Sequence, residues 1–267
     1  MLSSQLPDSP VNRLIQFSDC HLGQDDQFKL AGINTARSLN SVLSALKSDL
    51  PNCDLLTVSG DIAADGQCQA YELFASLLPA TQPLAWLPGN HDDFPVMQRS
   101  LPWSFRRVVE LDGWVAIFLV SAVPGKVAGK LDERELAELE QLLGVYSQYH
   151  VALFVHHPPA RVNCRWLDKQ RIGNEQALAA LLSRFTNVRA IFCGHVHQSY
   201  STDWEGVPVY TVPSTCFQFA SGSDEFELCD QGPGYRWIHL YGDGRIDTGV
   251  TFVDCDEQHA ARRCMGY

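Results

Sequence analysis

Apolar, strand-forming runs that break off into clusters of metal-binding side chains recur along this chain, and no other feature constrains its fold as strongly. The clusters read FSDCHLG, SGDIAADG, PGNHDD, VHHPP and CGHVHQ, and they supply Asp19, His21, Asp61, Asn90, His91, His156, His157, His195 and His197. Most of the nine histidines lie in them. Hydrophobic stretches lead into most of the clusters, which places polar groups where strands of a buried sheet end and loops begin, the usual location of an α/β active site.

Between the clusters the period of the sequence alternates. Residues 12–18, 55–59, 84–87, 114–122, 151–155 and 188–193 read as apolar strands, and 31–50, 69–78, 132–143 and 175–185 as helices, the first ending before Pro51. Strand, acidic loop, helix, strand is the logic of a βαβ unit. Beyond the GHVH cluster the chain becomes β-rich, with strands at 207–212, 235–240 and 246–252, the last two joined through a tight Asp243-Gly244 turn. No internal repeat, low-complexity segment or linker interrupts the 267 residues, which predicts one domain over 1–267 with 1–11 as a flexible start.

A net charge of -11 opposes binding to a nucleic-acid backbone, because a polyanion would meet overall repulsion; a small phosphate held by metal escapes that penalty. The opening MLSSQLPDSPVNR lacks the basic-then-apolar pattern of a signal peptide, and no apolar stretch reaches membrane-spanning length. The expectation is a cytoplasmic protein with no membrane partner. Nine cysteines without CxxC spacing, in a chain large enough to need no staples, read as reduced thiols, although Cys255 and Cys264 could pair if oxidised.

Carboxylate, imidazole and amide oxygen, with no thiolate obviously among them, suit borderline divalent ions such as Mn, Fe or Zn in a catalytic setting. In Asp19-x-His21 and His195-x-His197, alternate residues of an extended segment point the same way, so each pair can grip one ion. Asp61 is the natural bridge, since one carboxylate can share its oxygens between two ions, and Asn90 adds a neutral ligand. Gly60 and Gly89 precede two of these residues, as backbone that must bend sharply beside a ligand requires. Cys20, between Asp19 and His21, alternates to the opposite side. Adjacent His156 and His157 diverge, so one of them is a ligand, and His156 is favoured by its place two residues before proline. Arg161, Arg165, Lys169 and Arg171 read as a solvated basic loop rather than a phosphate site, while 213–216 suits a structural turn and a pocket wall equally well.

The set D-x-H, GD, GNHD, HH-x and GHxH, complete and in this order, resembles the calcineurin-like metallophosphoesterases. CRWLDKQRIGN (164–174), VPSTCFQF (212–219) and GPGYRW (232–237) narrow the resemblance to class III 3′,5′-cyclic-AMP phosphodiesterases of the Icc/CpdA type, from about Arg13 to Tyr267. It implies an α/β fold, a four-layer αββα sandwich of two mixed β-sheets flanked by helices, and a dinuclear centre of Fe and/or Mn, with Zn or Co substituting in vitro. One ion would be held by Asp19, His21, Asp61 and His197, the other by Asp61, Asn90, His156 and His195. His91 would face the scissile phosphate, with Asn90 sharing the catalytic role and His21, Asp61, His156 and His197 also bordering the substrate.

The implied reaction is attack of metal-held hydroxide on cyclic AMP to give 5′-AMP, with Asp92 or Asp65 as orienter behind His91. A broader small-molecule diesterase acting on 2′,3′-cyclic nucleotides or other diesters is the alternative, and a catalytically weak metal-binding scaffold is disfavoured by the complete ligand set. A nuclease is disfavoured by charge. Oligomeric state is open, a homodimer included.

Overall fold

The structure, a computed structural model, describes residues 9–78 and 83–259. Along the first half run β1 (Asn12–Phe17), β2 (Lys29–Leu30), β3 (Ile33–Asn34), α1 (Thr35–Leu46), β4 (Leu55–Val58), α2 (Cys68–Leu77), β5 (Leu84–Trp86) and α3 (Phe94–Ser100). Then follow β6 (Val108–Leu111), β7 (Trp114–Leu119), α4 (Glu133–Val145), β8 (His150–Val155), α5 (Glu175–Leu182) and β9 (Val188–Cys193). The β-rich end comprises β10 (Ser201–Trp204), β11 (Val207–Thr211), β12 (Gln218–Phe219), β13 (Leu228–Cys229), β14 (Gly234–Leu240) and β15 (Ile246–Phe252).

Two mixed sheets carry the architecture, ordered β15-β14-β1-β4-β5 and β10-β11-β9-β8-β7-β6. β1, β4 and β5 are mutually parallel, as are β7, β8, β9 and β11, so in each sheet the C-terminal ends of these strands share one edge. Side-chain alternation sorts the layers. In β7, Trp114, Ala116 and Phe118 enter the core between the sheets, whereas Val115, Ile117 and Leu119 turn outward to α4 and α5. On the other side, Ile15, Phe17, Leu56 and Val58 pack beneath α1 and α2 through Leu39, Val42, Tyr71 and Phe74. Helix, sheet, sheet, helix is the four-layer αββα sandwich expected from sequence.

Most strands fall within two residues of their expected bounds, and the departures have physical causes. Helix α1 starts at Thr35 rather than at residue 31, because Ala31 and Gly32 take left-handed φ values of 49° and 82° in the turn of a small ribbon. Asn34 then caps α1 by accepting from the Arg37 N–H. The helix stops at Leu46, and Pro51 sits inside a separate single turn, Leu50–Asn52. Strand β7 ends at Leu119, not at 122, since the Val120 N–H donates to the buried Glu135 carboxylate, itself paired with Arg107. Helix α3, strand β6 and the β10–β11 hairpin were not anticipated. That hairpin turns on Glu205-Gly206, both at positive φ, without the Asn-Gly or Asp-Gly signal such turns usually carry.

Of the segment 1–11 expected to be flexible, 1–8 lie outside the described residues, and Val11 donates its N–H to the Leu240 carbonyl. Cys264, the suggested partner of the buried Cys255, also lies outside them. No helix among the described residues is long and apolar enough to cross a membrane.

Phe154, fully buried between the sheets, stacks on Phe118 at 5.0 Å and Phe192 at 5.1 Å. Phe154→Ala should lower unfolding free energy by about 3–5 kcal/mol, read as a reduced urea midpoint, and an unchanged midpoint would contradict this account of the core.

Candidate metal centre

Each metal-binding cluster leaves the C-terminal end of a parallel strand. β1 delivers Asp19 and His21, β4 Asp61, β5 Asn90 and His91, β8 His156 and His157, and β9 His195 and His197. The β1 loop continues to pair with the β4 loop after the strands end, through Asp19 N–H to Gly60 O and His21 N–H to Asp61 O, both at 3.0 Å. Across the sheets, the Asp19 carboxylate accepts the His195 N–H at 3.1 Å, and His156 Nδ1 lies 2.7 Å from the Ser59 carbonyl.

Backbone strain concentrates here. Asp19, His21, Asp61, His195 and His197 all have left-handed φ, between 45° and 68°. A non-glycine residue in that region costs on the order of 1–3 kcal/mol and persists only where its surroundings over-determine it. The left-handed turns also explain why the D-x-H and H-x-H pairs share a side without forming the extended segment expected from their spacing.

The donors meet in two groups. His21 Nε2 lies 3.1 Å from His197 Nε2, and His197 Nε2 lies 3.4 Å from Asp19 Oδ1. In the second, His156 Nε2 is 3.2 Å from both Asp61 Oδ2 and Asn90 Oδ1, and the ring nitrogens of His156, His157 and His195 approach within 4.8 Å. Asp61 joins the groups, its Oδ2 also 4.0 Å from His21 Nε2. The outer nitrogens are anchored, His197 Nδ1 at the Phe217 carbonyl and His156 Nδ1 at that of Ser59, so the Nε2 lone pairs turn inward.

These distances test whether the residues fit a pair of cations. Nitrogens and carboxylate oxygens converging at 3.1–3.4 Å repel unless a shared proton or a cation lies between them. One remedy is protonation of His156, which the Asp61 carboxylate pushes up to about 9 against the opposing effect of burial. Burial instead depresses His21 to about 3 and His195 well below its usual range, leaving neutral imidazoles. Burial alone would raise Asp61, but His156 beside it outweighs that and holds the carboxyl well below normal. Two carboxylates beside the neutral rings of His21 and His195, whose Nδ1 and Nε2 respectively are buried and unpartnered, fit two divalent ions better than one proton.

All the expected ligands are therefore brought together, and of the lesser expectations those for His157 and Cys20 agree with the structure while the orienter of His91 does not. His157 is buried but spoken for, Nδ1 at the Ser121 hydroxyl at 2.8 Å and Nε2 at the Val127 carbonyl at 2.9 Å. Neither Asp92 nor Asp65 orients His91: its Nδ1 lies 2.9 Å from the Ala64 carbonyl. Asp92 is a brace instead, accepting the N–H groups of Ile62, Ala63 and Gly89 and the Tyr71 hydroxyl, and burial followed by Asp61 pushes it up to about 6. Asp65 accepts from Gln67. Cys20 packs in the apolar core with Phe17 and Leu22. The 213–216 segment is structural, as the Ser214 hydroxyl and Thr215 N–H hold the carbonyls of Asp19 and Ser18. Arg171 of the basic loop donates to the Pro159 and Asp168 carbonyls.

His91, half-buried, donates its backbone N–H to Asp61 Oδ1 at 2.8 Å, and its ring meets His21 edge-on. Its ligand atom also lies within 4.8 Å of those of His21 and Asp61, so proximity alone does not separate it from the metal set. It lines, with Asn90, a cleft whose further walls are Val127, Trp166, Gln170 and Phe219. Sequence reasoning did not name these four as site residues, because apolar and amide side chains carry no local signature of a site, although Trp166, Gln170 and Phe219 lie in the segments 164–174 and 212–219 that carry the resemblance.

Residues 12–199 match the calcineurin-like phosphoesterase family. A 3′,5′-cyclic adenosine monophosphate phosphodiesterase, CpdA, of Pseudomonas aeruginosa is 36% identical over 244 residues, covering 90% of each chain. The Haemophilus influenzae protein of the same name is 35% identical over 265 residues and 97% of each chain. Among solved structures, a dimetal phosphatase from Danio rerio aligns with TM-score 0.65 at 14% identity, covering 92% of this chain and all 100% of its own. That likeness concerns the fold.

A Cβ on Gly89 would fall 2.1 Å from Asp61 Oδ1, and one on Gly60, at φ 101°, 2.5 Å from His156 Nδ1. Gly89→Ala should therefore displace the Asp61 carboxylate and cut bound metal by at least about half against the wild type. Full metal content by elemental analysis would sink this reading of the centre.

Proposed function

The chain belongs to the calcineurin-like phosphoesterase family, and on that premise we propose that it is a metal-dependent phosphodiesterase that hydrolyses 3′,5′-cyclic AMP to 5′-AMP. The observation that carries this reading is the convergence of imidazoles and carboxylates from both sheets on one point, with Asn90 and His91 lining the cleft beside them. Asp19, His21, Asp61 and His197 would hold one ion, and Asp61, Asn90, His156 and His195 the other. Iron and manganese suit this mixture of oxygen and imidazole donors. A cytoplasmic location and a single domain over 1–267 belong to the same proposal.

When bound, such ions supply Lewis acidity and ionised water near neutral pH, shifting a water pKa from 15.7 to about 7. The chain's own groups do the rest. Asp61 is fixed in place by the His91 N–H and by contact with Gly89, so its second oxygen stays aimed at His156. The Asn90 amide oxygen faces His156, which turns its NH2 group toward the side where phosphoryl oxygens would lie. With Nδ1 at the Ala64 carbonyl, Nε2 is the nitrogen through which His91 would reach the phosphate. There it stabilises developing charge or delivers a proton to the 3′ oxygen as the P–O3′ bond breaks.

Turnover of 3′,5′-cyclic AMP, 2′,3′-cyclic AMP and bis(p-nitrophenyl) phosphate tests the reading. Wild-type protein should cleave the first, a chelator should abolish that activity, and added Mn should restore it. His91→Ala should lower kcat by about 10²–10⁴ with bound metal retained. Cleavage of the other two diesters with 3′,5′-cyclic AMP untouched would refute the substrate assignment.

A further inference from the structure

The cleft over the metal centre has a second half that the hydrolytic chemistry does not use. It measures about 230 Å³ and runs from His21, His195 and His197 to a wall built by Trp166, Gln170, Phe219 and Val127. Apart from the imidazoles, Asp61 is the only ionisable side chain lining it among the described residues.

This wall is aromatic. Phe219 stacks on His197 with ring centroids 4.3 Å apart, and Trp166 meets Phe219 edge-on at 4.8 Å. Trp166 and Gln170 flank one 3₁₀ turn, Leu167–Lys169, and both line the cleft. The turn is tied down on every side. Leu167 is buried, the Asp168 N–H donates to the Cys164 carbonyl at 2.8 Å, its carboxylate accepts the Val162 N–H at 2.8 Å, and Arg171 donates to the Asp168 carbonyl at 3.0 Å. Two polar groups of this wall are left unused among the described residues. The Trp166 indole N–H is buried without an acceptor, and the Gln170 side-chain amide makes no hydrogen bond.

Resting on the reading of this centre as a cyclic-nucleotide phosphodiesterase, we propose that Trp166 and Phe219 form the seat of the nucleotide base and that Gln170 selects adenine. A flat base gains by stacking on aromatic rings whatever its identity, so the rings supply affinity. Choice comes from the amide, which presents one donor and one acceptor side by side. Adenine offers N7 as acceptor and its N6 amino group as donor, a matched pair, whereas guanine offers two acceptors, N7 and O6, and would set O6 against the amide oxygen. Arginine or lysine would suit guanine, and neither lines this cleft among the described residues.

Manganese-loaded full-length protein is assayed with 3′,5′-cyclic AMP, 3′,5′-cyclic GMP and bis(p-nitrophenyl) phosphate, and binding of 5′-AMP and 5′-GMP is titrated separately by calorimetry. Gln170→Ala should lower kcat/KM for cyclic AMP about tenfold, chiefly through KM, and leave cyclic GMP and the aryl diester within about twofold. The preference for 5′-AMP over 5′-GMP should shrink by a similar factor. Trp166→Leu should raise KM for both cyclic nucleotides about tenfold with kcat unchanged. An unaltered cyclic AMP to cyclic GMP ratio in Gln170→Ala, or an equal loss on the aryl diester, overturns the base site. A wild-type enzyme that cleaves only the aryl diester overturns the substrate reading itself.

Discussion

Everything in this molecule is arranged around the burial of Asp61, a carboxylate that is 2% exposed and faced by acceptor nitrogens from both sheets. A buried charge is tolerated only where opposite charge and hydrogen bonds compensate it. The His91 N–H supplies one hydrogen bond, and His21, His156 and Asn90 gather beside the carboxylate, where compensating positive charge would sit. Holding these groups together requires five residues in left-handed backbone, a conformation the surrounding strands and carbonyl anchors over-determine.

The site and the sandwich are therefore one construction. Asp19 comes from one sheet and accepts an N–H from the loop after β9 in the other, while His156 reaches back to the Ser59 carbonyl. Neither sheet by itself carries all of the expected donors. The stack of Phe118, Phe154 and Phe192 fixes the spacing on which the ligand distances depend, because closely packed interiors transmit small displacements instead of absorbing them. Asp92 plays the corresponding role within the first sheet, gathering the backbone of the Asp61 loop and of Gly89 on one carboxylate.

Much of this was legible in the chain because the informative residues are local. A β-branched or apolar run followed by Gly-Asp, Gly-Asn-His or Gly-His-Val-His announces both a strand end and a donor set, and the ligands expected from those runs do meet. Elements without such marks were missed: α3 is seven residues long, and the Glu205-Gly206 hairpin lacks the usual turn pair. Assigning Asp92 or Asp65 to orient His91 failed for a related reason. The actual partner is the Ala64 backbone carbonyl, and every residue has a carbonyl, so its use as an anchor leaves no trace in residue type.

The amino-acid sequence by itself determined the alternation of strands and helices, the donor set and the family, since each follows from local periodicity and from side-chain chemistry at fixed spacing. Only the tertiary structure decided which nitrogen of each histidine turns inward, that His157 serves Ser121 and Val127, and that Trp166, Gln170 and Phe219 stand over the metal residues. Those outcomes depend on where two independently formed sheet edges meet, and distances across the gap between them are set by packing that no stretch of sequence encodes alone.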